Sequence, residues 1–256
     1  MNPRTIMPQA LLPLLALLAT LALMAWPGGP ARAQVGQSLG QAQPPQGVPA
    51  LPGQEQAGYE TIESPARFDD GDDSIELAIL FWYGCPACRA SDPATDAFAL
   101  SLPGDVRVER LPMFFPESLG GLYAAESQAH GRLFLALEAL GVEPGARQAA
   151  FDAAQTPGDP GGRGYGLLDQ ESQETFAAGL GLDGEGLLRA LDSPPVLERE
   201  GRIKDFIGRA GLMGVPALVI NGRYIIYYAH GPAFLGLAER LIESERARLA
   251  QGGASD

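Results

Sequence analysis

Hydrophobic and polar positions alternate with different periods along this chain, and the changes of period mark its elements. Ile75 to Tyr83 is a nearly continuous apolar run of strand length, bounded by an acidic turn before it and Gly84 after it, as expected of a central strand covered on both faces. Pro86 follows at a position suited to the first turn of a helix, and Ala87 to Leu100 is helix-compatible, with Pro93 inside it as a source of a kink. Val106 to Leu111 alternates and predicts a second strand, parallel to the first if the helix between them is a right-handed crossover.

From about Glu117 to Asp205 the pattern turns helical with Gly and Pro punctuation. Leu122 to Leu140 is the longest stretch, and shorter ones lie near Gln170–Gly179, Gly184–Leu191 and Pro195–Ala210. The Gly-rich run from Gly161 to Gly166 neither follows a strand nor carries a phosphate-loop lysine, so it reads as a loop. Ala217 to Ile220 and Tyr224 to Tyr228 are two β-rich runs joined by Asn221-Gly222, a strong hairpin signal. A last helix from Ala233 to about Leu249 has an apolar face at Phe234, Leu237 and Leu241. The order is βαβ, a helical block, then ββα.

The start of the chain has another character. Residues 1–33 hold no acidic side chain, an early Arg4, a Leu- and Ala-rich stretch interrupted by Pro13, and a small-x-small site at Ala31-Arg32-Ala33. This is the layout of a signal peptide cleaved after Ala33, with an uncleaved membrane anchor as the alternative. Residues 34–57 are Gln, Pro, Gly and Ala with almost no large apolar side chain, too little to offset the entropy of ordering, so a disordered linker is expected there. It becomes a tether if the signal is retained. Folded structure is expected from Gly58, with residues 58–116 and 206–256 forming an α/β domain and 117–205 a helical insertion within it.

Composition narrows the chemistry. The 256 residues carry 18 basic and 31 acidic side chains, a formal charge of -13, and loss of the first 33 residues would remove two arginines and no acid. Such a chain repels a phosphate backbone, so no nucleic-acid partner is expected. Two cysteines, Cys85 and Cys88, cannot build a four-cysteine metal site, and His130 and His230 lie far from them in sequence. No metal and no cofactor is expected. His130 reads as a surface or capped helical residue and His230 as a turn residue.

Cys85-Pro86-Ala87-Cys88 falls where the buried strand ends and the helix begins. The free N–H groups and dipole of a helix N-terminus stabilise a thiolate, the reactive form of cysteine, on the first of the two. Cys85 is therefore the expected exposed nucleophile and Cys88, one turn further in, the resolving thiol. Two other readings stand beside this one. A structural disulfide would gain little from closing so short a loop; a Cys₂His₂ site with both histidines would match no compact zinc module.

The run Phe81-Trp82-Tyr83-Gly84-Cys85-Pro86-Ala87-Cys88, with Pro93 eight residues after the first cysteine, resembles the thioredoxin superfamily. Gly211-Leu212-Met213-Gly214-Val215-Pro216-Ala217-Leu218-Val219-Ile220-Asn221-Gly222-Arg223-Tyr224 is similar to the cis-proline segment of DsbA-type thiol-disulfide oxidoreductases of the bacterial periplasm. The resemblance implies a thioredoxin-like fold with an inserted helical domain, Cys85 and Cys88 as catalytic residues and Pro86 and Ala87 supporting them. It also implies a cis bond between Val215 and Pro216, and substrate peptides adding as a strand at Val215. Implied partners are reduced or misoxidised exported proteins and a quinone-linked membrane oxidase of the DsbB kind, with the enzyme a monomer. A reductase or isomerase in a specialised pathway such as cytochrome maturation remains an alternative, as does a non-catalytic peptide-binding module.

Two departures bear on the chemistry. The family often carries histidine where this chain has Ala87, and a buried acid six positions before the first cysteine, where this chain has Ile79. The expectation is a less stabilised Cys85 thiolate, a pair less oxidising than the strongest oxidants of the family, and a proton relay that uses another group.

Overall fold

The computed structural model describes residues 58–69, 71, 73–119, 123–156, 164–228 and 233–252. The expected signal peptide at 1–33, the linker at 34–57 and His230 lie outside the described residues.

Among the described residues a five-stranded mixed sheet runs in the order β1-β5-β4-β2-β3. The strands are β1 (Glu60–Thr61), β2 (Ile75–Phe81), β3 (Val106–Pro112), β4 (Ala217–Ile220) and β5 (Tyr224–Tyr227). Every residue of β2 is buried, as its continuous apolar run predicts for a central strand. It pairs in parallel with β3, from Ile75 opposite Val106 to Phe81 opposite Pro112. On its other side β2 pairs antiparallel with β4. β4 and β5 form the expected hairpin around Asn221 and Gly222, both at positive φ (48° and 63°), with Arg223 completing a three-residue loop. The short edge strand β1, which the sequence pattern does not announce, pairs with β5.

Among the described residues the α-helices are α1 (Pro86–Ser101), α2 (Ala124–Ala139), α3 (Glu143–Ala154), α4 (Gln170–Gly179), α5 (Gly184–Leu191), α6 (Pro194–Ala210) and α7 (Ala233–Gly252), with a 3₁₀ turn at Glu117–Leu119. The α4 start is fixed by a capping box between Asp169 and Ser172, and α6 ends at Gly211 in the left-handed conformation (φ 67°).

Alternation along the strands divides the core in two. Ala78, Leu80, Ala217, Val219 and Ile225 face a large core with Leu133 and Phe134 of α2, Phe151 of α3 and Phe206 of α6. Ile75, Leu77, Ile79, Leu218 and Ile226 face a smaller core with Phe234, Ala238 and Ile242 of α7, against which Phe98 and Ala99 near the end of α1 also pack. A period-two strand sends successive side chains to opposite faces, so one sheet supports both layers. The single charged residue in β2, Glu76, is fully buried. Its carboxylate accepts from the amides of Phe68 (2.8 Å) and Asp69 (2.9 Å) and from Arg107 Nη2 (3.1 Å), which offsets the cost of its burial.

Candidate active site

The Cys85-Pro86-Ala87-Cys88 segment sits at the exit of β2. Cys85 is the N-cap of α1 with extended backbone (φ -92°, ψ 113°), and Pro86 opens the helix, where its missing N–H costs nothing. A thiol takes the place of the usual hydroxyl or carboxylate cap: the Cys88 amide donates to Cys85 Sγ at 3.1 Å. Both cysteines are free thiols.

That geometry splits the two acidities. Hydrogen bonding from the Cys88 side chain and from the amides of Cys88 and Ala87 pulls the Cys85 pKa below the ordinary thiol value, against the opposing effect of its burial. Burial pushes Cys88 well above that value, and its hydrogen bond to Cys85 and the charge there add to the rise. Cys85 is less exposed than its position at a helix tip suggests, at 8%. Its access runs through a cavity of about 390 Å³, walled by Trp82, Phe115, Tyr123 and Tyr165 on one side and by Met213 to Val215 on the other.

Trp82 organises the first wall. Its indole lies 5.6 Å from the Phe115 ring, 5.0 Å from Tyr123 and 4.9 Å from Tyr165, centroid to centroid. It also lies against the backbone of Gly84, where a Cβ would meet Trp82 Cζ2 at 2.3 Å, so any side chain at the residue before Cys85 would force the indole to shift. Behind it, His130 is buried at 1% exposure, not a surface residue, because its face of α2 packs against Trp82 and Tyr165. His130 Nε2 lies 2.8 Å from the Gly166 carbonyl, which can only accept, so the proton is on Nε2. Burial lowers the His130 pKa below its usual value and keeps the ring neutral.

The peptide bond between Val215 and Pro216 is cis, as the resemblance implies. Both residues are half-buried in the loop before β4, and the Val215 carbonyl lies 3.8 Å from Cys85 Sγ. The chain thus brings together four of the residues singled out from the sequence, although Val215 is 130 positions from Cys85.

Other contributors are not singled out by the sequence reading. Gln155, just past α3, donates to the carbonyls of Tyr83 (2.9 Å) and Cys85 (3.2 Å), tying the helical block to the cysteine loop. Tyr165 comes from the Gly-rich loop, which the sequence pattern treats as a connection. From Asp92, on the same helix as Cys88, a chain of ion pairs runs through Arg110 and the half-exposed Asp96 to Arg147 and Glu143. Asp92 lies one turn after Cys88 on α1, a spacing that places both on one helix face and could have been read. Among the described residues no group of three or more His, Cys, Asp or Glu side chains is arranged to hold a metal ion.

No family model matches the sequence. Relatives and solved structures do. The thiol:disulfide interchange protein DsbA of Azotobacter vinelandii is 39% identical over 176 residues, covering 68% of this chain and 76% of that protein. The DsbA of Pseudomonas aeruginosa PAO1 is 37% identical over 176 residues, covering 68% and 77%. The crystal structure of Pseudomonas aeruginosa DsbA superposes with a TM-score of 0.64 at 34% identity, covering 75% of this chain and 93% of that one. DsbA from Xylella fastidiosa gives 0.63 at 25% identity, with 74% and 96% covered. A thioredoxin-like sheet with a helical insertion, a cysteine pair in the C-x-x-C position at the head of α1 and relatives of this identity lead to one assignment: the chain belongs to the DsbA family of thiol:disulfide interchange proteins.

Proposed function

We propose that the chain is a periplasmic dithiol oxidase in which Cys85 is the nucleophilic and Cys88 the resolving cysteine, with Pro86 and Ala87 shaping the loop between them. The observation that carries this reading is the Cys88 amide donating to Cys85 Sγ, because it favours charge on one sulfur only. In the oxidised enzyme a substrate thiolate attacks Cys85 Sγ, the Cys85–Cys88 bond breaks, and Cys88 leaves and takes up a proton. The substrate's second thiol then attacks its own half of the mixed disulfide, releasing Cys85 as thiolate and carrying off the new disulfide. Two electrons pass from substrate to the cysteine pair.

Val215 and Pro216 form the substrate edge in this reading. The Val215 carbonyl faces Cys85 Sγ, so an extended peptide paired at that edge lays its own cysteine beside the reacting sulfur. Substrates are reduced or misoxidised exported proteins, and a quinone-linked membrane oxidase of the DsbB kind restores the disulfide. Residues 1–33 export the chain, 34–57 link it, 117–205 are an insertion in the redox domain, and the enzyme acts as a monomer. Among the described residues no helix is long and apolar enough to cross a membrane.

The test is Cys88→Ala in the full chain, incubated with a reduced single-cysteine protein after activation of Cys85 by an aryl disulfide, with turnover read separately on a dithiol peptide. Accumulation of a mixed disulfide through Cys85, with loss of multiple turnover, is the expected result. A peptide-binding module without redox turnover would be indifferent to the substitution. The direction of electron flow is read separately, from the equilibrium of the wild-type pair with a glutathione buffer.

A further inference from the structure

A resolving cysteine held as a thiol needs somewhere to put its proton when it attacks and to recover it when it leaves. On the inner side of Cys88 lies a small cavity of about 10 Å³ lined by Cys88, Ser91, Asp92, Thr95, Arg110 and Pro216, with Ile79 also in its wall. That volume is near the minimum for one water molecule. Among the described residues Asp92 is the only carboxylate in the lining. Ser91 Oγ and Thr95 Oγ1 donate to the carbonyls of Cys88 (3.2 Å) and Ser91 (2.9 Å), and an arginine cannot accept a proton.

From this arrangement we infer that Asp92 is the proton-accepting group for Cys88, reached across the small cavity, and that it positions and deprotonates the resolving thiol from the active-site helix itself. The inference rests on the reading of Cys85 and Cys88 under Proposed function. In the closing direction Cys88 Sγ attacks Cys85 Sγ of a mixed disulfide, the bond from Cys85 to the substrate sulfur breaks, and the Cys88 proton passes to the Asp92 carboxylate. In the opening direction Cys88 leaves as thiolate and the proton returns.

The surroundings of Asp92 suit the task. The residue is 5% exposed, its Oδ1 accepts from Arg110 Nη1 of β3 at 2.7 Å, and its Oδ2 accepts from Gln148 Nε2 of α3 at 2.7 Å. Arg147 of α3 and Asp96 of α1 also act on its charge, Glu143 pairs with Arg147, and the buried Tyr83 and Cys88 feel the Asp92 charge in turn. Burial raises the Asp92 pKa above the usual carboxylate value, while Arg110 and Arg147 work against the rise. A carboxylate of raised pKa beside a thiol of raised pKa narrows the gap a proton must cross.

The experiment follows the reduced full-length enzyme mixed with excess 5,5′-dithiobis(2-nitrobenzoate) in a stopped flow. The first equivalent of aryl thiolate reports attack by Cys85 on the reagent, and the second reports closure by Cys88 onto Cys85. Asp92→Asn is expected to slow the second phase about tenfold or more at neutral pH, within the range for loss of a general base. The first phase stays within about twofold, and the acid-side inflection in the second-phase pH profile disappears. Asp92→Glu restores part of the rate. Gln148→Leu, a substitution at an exposed residue that removes one hydrogen bond to the carboxylate, moves the same inflection upward and serves if Asp92→Asn does not fold. A second phase unchanged in Asp92→Asn, both phases slowed alike, or an inflection unmoved by Gln148→Leu overturns the role of Asp92. Absence of any second phase in the wild-type enzyme overturns the assignment of Cys88 on which it depends.

Discussion

The amide of Cys88 donates to Cys85 Sγ at 3.1 Å, so the second cysteine caps the helix through its backbone while its own sulfur is turned inward at 2% exposure. One residue thereby stabilises the thiolate of its neighbour, while burial pushes its own thiol well above the ordinary value. The first consequence is unequal reactivity. Alkylation of the reduced enzyme by iodoacetamide should occur at Cys85 with a midpoint below the ordinary thiol value of about 8.5. Cys88 should react only above it. Mass spectrometry after a short pulse at neutral pH reads the difference; equal labelling of both sites would refute it.

Ala87 offers no side chain to the Cys85 thiolate, so the loop relies on amide and thiol hydrogen bonds alone. Ala87→His should lower the Cys85 pKa further and make the pair more oxidising. An added charge-assisted contact of about 1.4 kcal/mol corresponds to about 30 mV. Equilibration of both proteins with glutathione measures the shift, and a wild-type potential already equal to that of the strongest oxidants would contradict the expectation.

Gly84 leaves room for the Trp82 indole, and a methyl there would meet the ring at 2.3 Å. Gly84→Ala should rotate or displace the indole and break the wall it shares with Tyr123 and Tyr165. The expected outcome is a KM for a dithiol peptide raised about tenfold, roughly 1.4 kcal/mol of binding, with a smaller change in kcat. A fall in kcat with KM unchanged would place Trp82 outside the substrate site.

His130 is buried and neutral, with its pKa held below the usual 6.5 by burial. The unfolded chain then binds a proton that the folded one refuses. Stability from this group is complete above about pH 6.5 and is lost as pH falls toward the depressed folded value. Urea unfolding from pH 7.5 to 5 should show this slope, and His130→Gln, which keeps a donor for the Gly166 carbonyl, should flatten it.

Phe151 of α3 is fully buried, its ring 5.9 Å from Phe81 and 5.1 Å from Tyr83. Phe151→Ala removes an aromatic group from the core shared by the sheet and the helical block, and should cost about 3–5 kcal/mol in denaturant unfolding. A loss below about 1 kcal/mol would mean that the block contributes little to the stability of the sheet.

Local order was legible because it depends on neighbours in sequence. A continuous apolar run must be a covered strand, a proline just after it opens a helix, and Asn221-Gly222 tolerates the positive φ of a tight turn, so β2, α1 and the β4–β5 hairpin followed from adjacent residues. The cysteine pair at the strand-to-helix junction, and the order βαβ, helices, ββα, were readable on the same grounds. The Val-Pro pair needed a family resemblance, since nothing in its own residues asks for proximity to Cys85. Only the tertiary structure decided what surrounds the sulfur atoms. Trp82 finds Tyr123 and Tyr165, Gln155 reaches the Cys85 carbonyl, and Asp92 meets Arg110 across elements separated in sequence. Such contacts depend on how faces pack, not on local propensity. The burial of His130 and the near-burial of Cys85 arise in the same way, because a helix pattern states which side is apolar but not which partner will cover it.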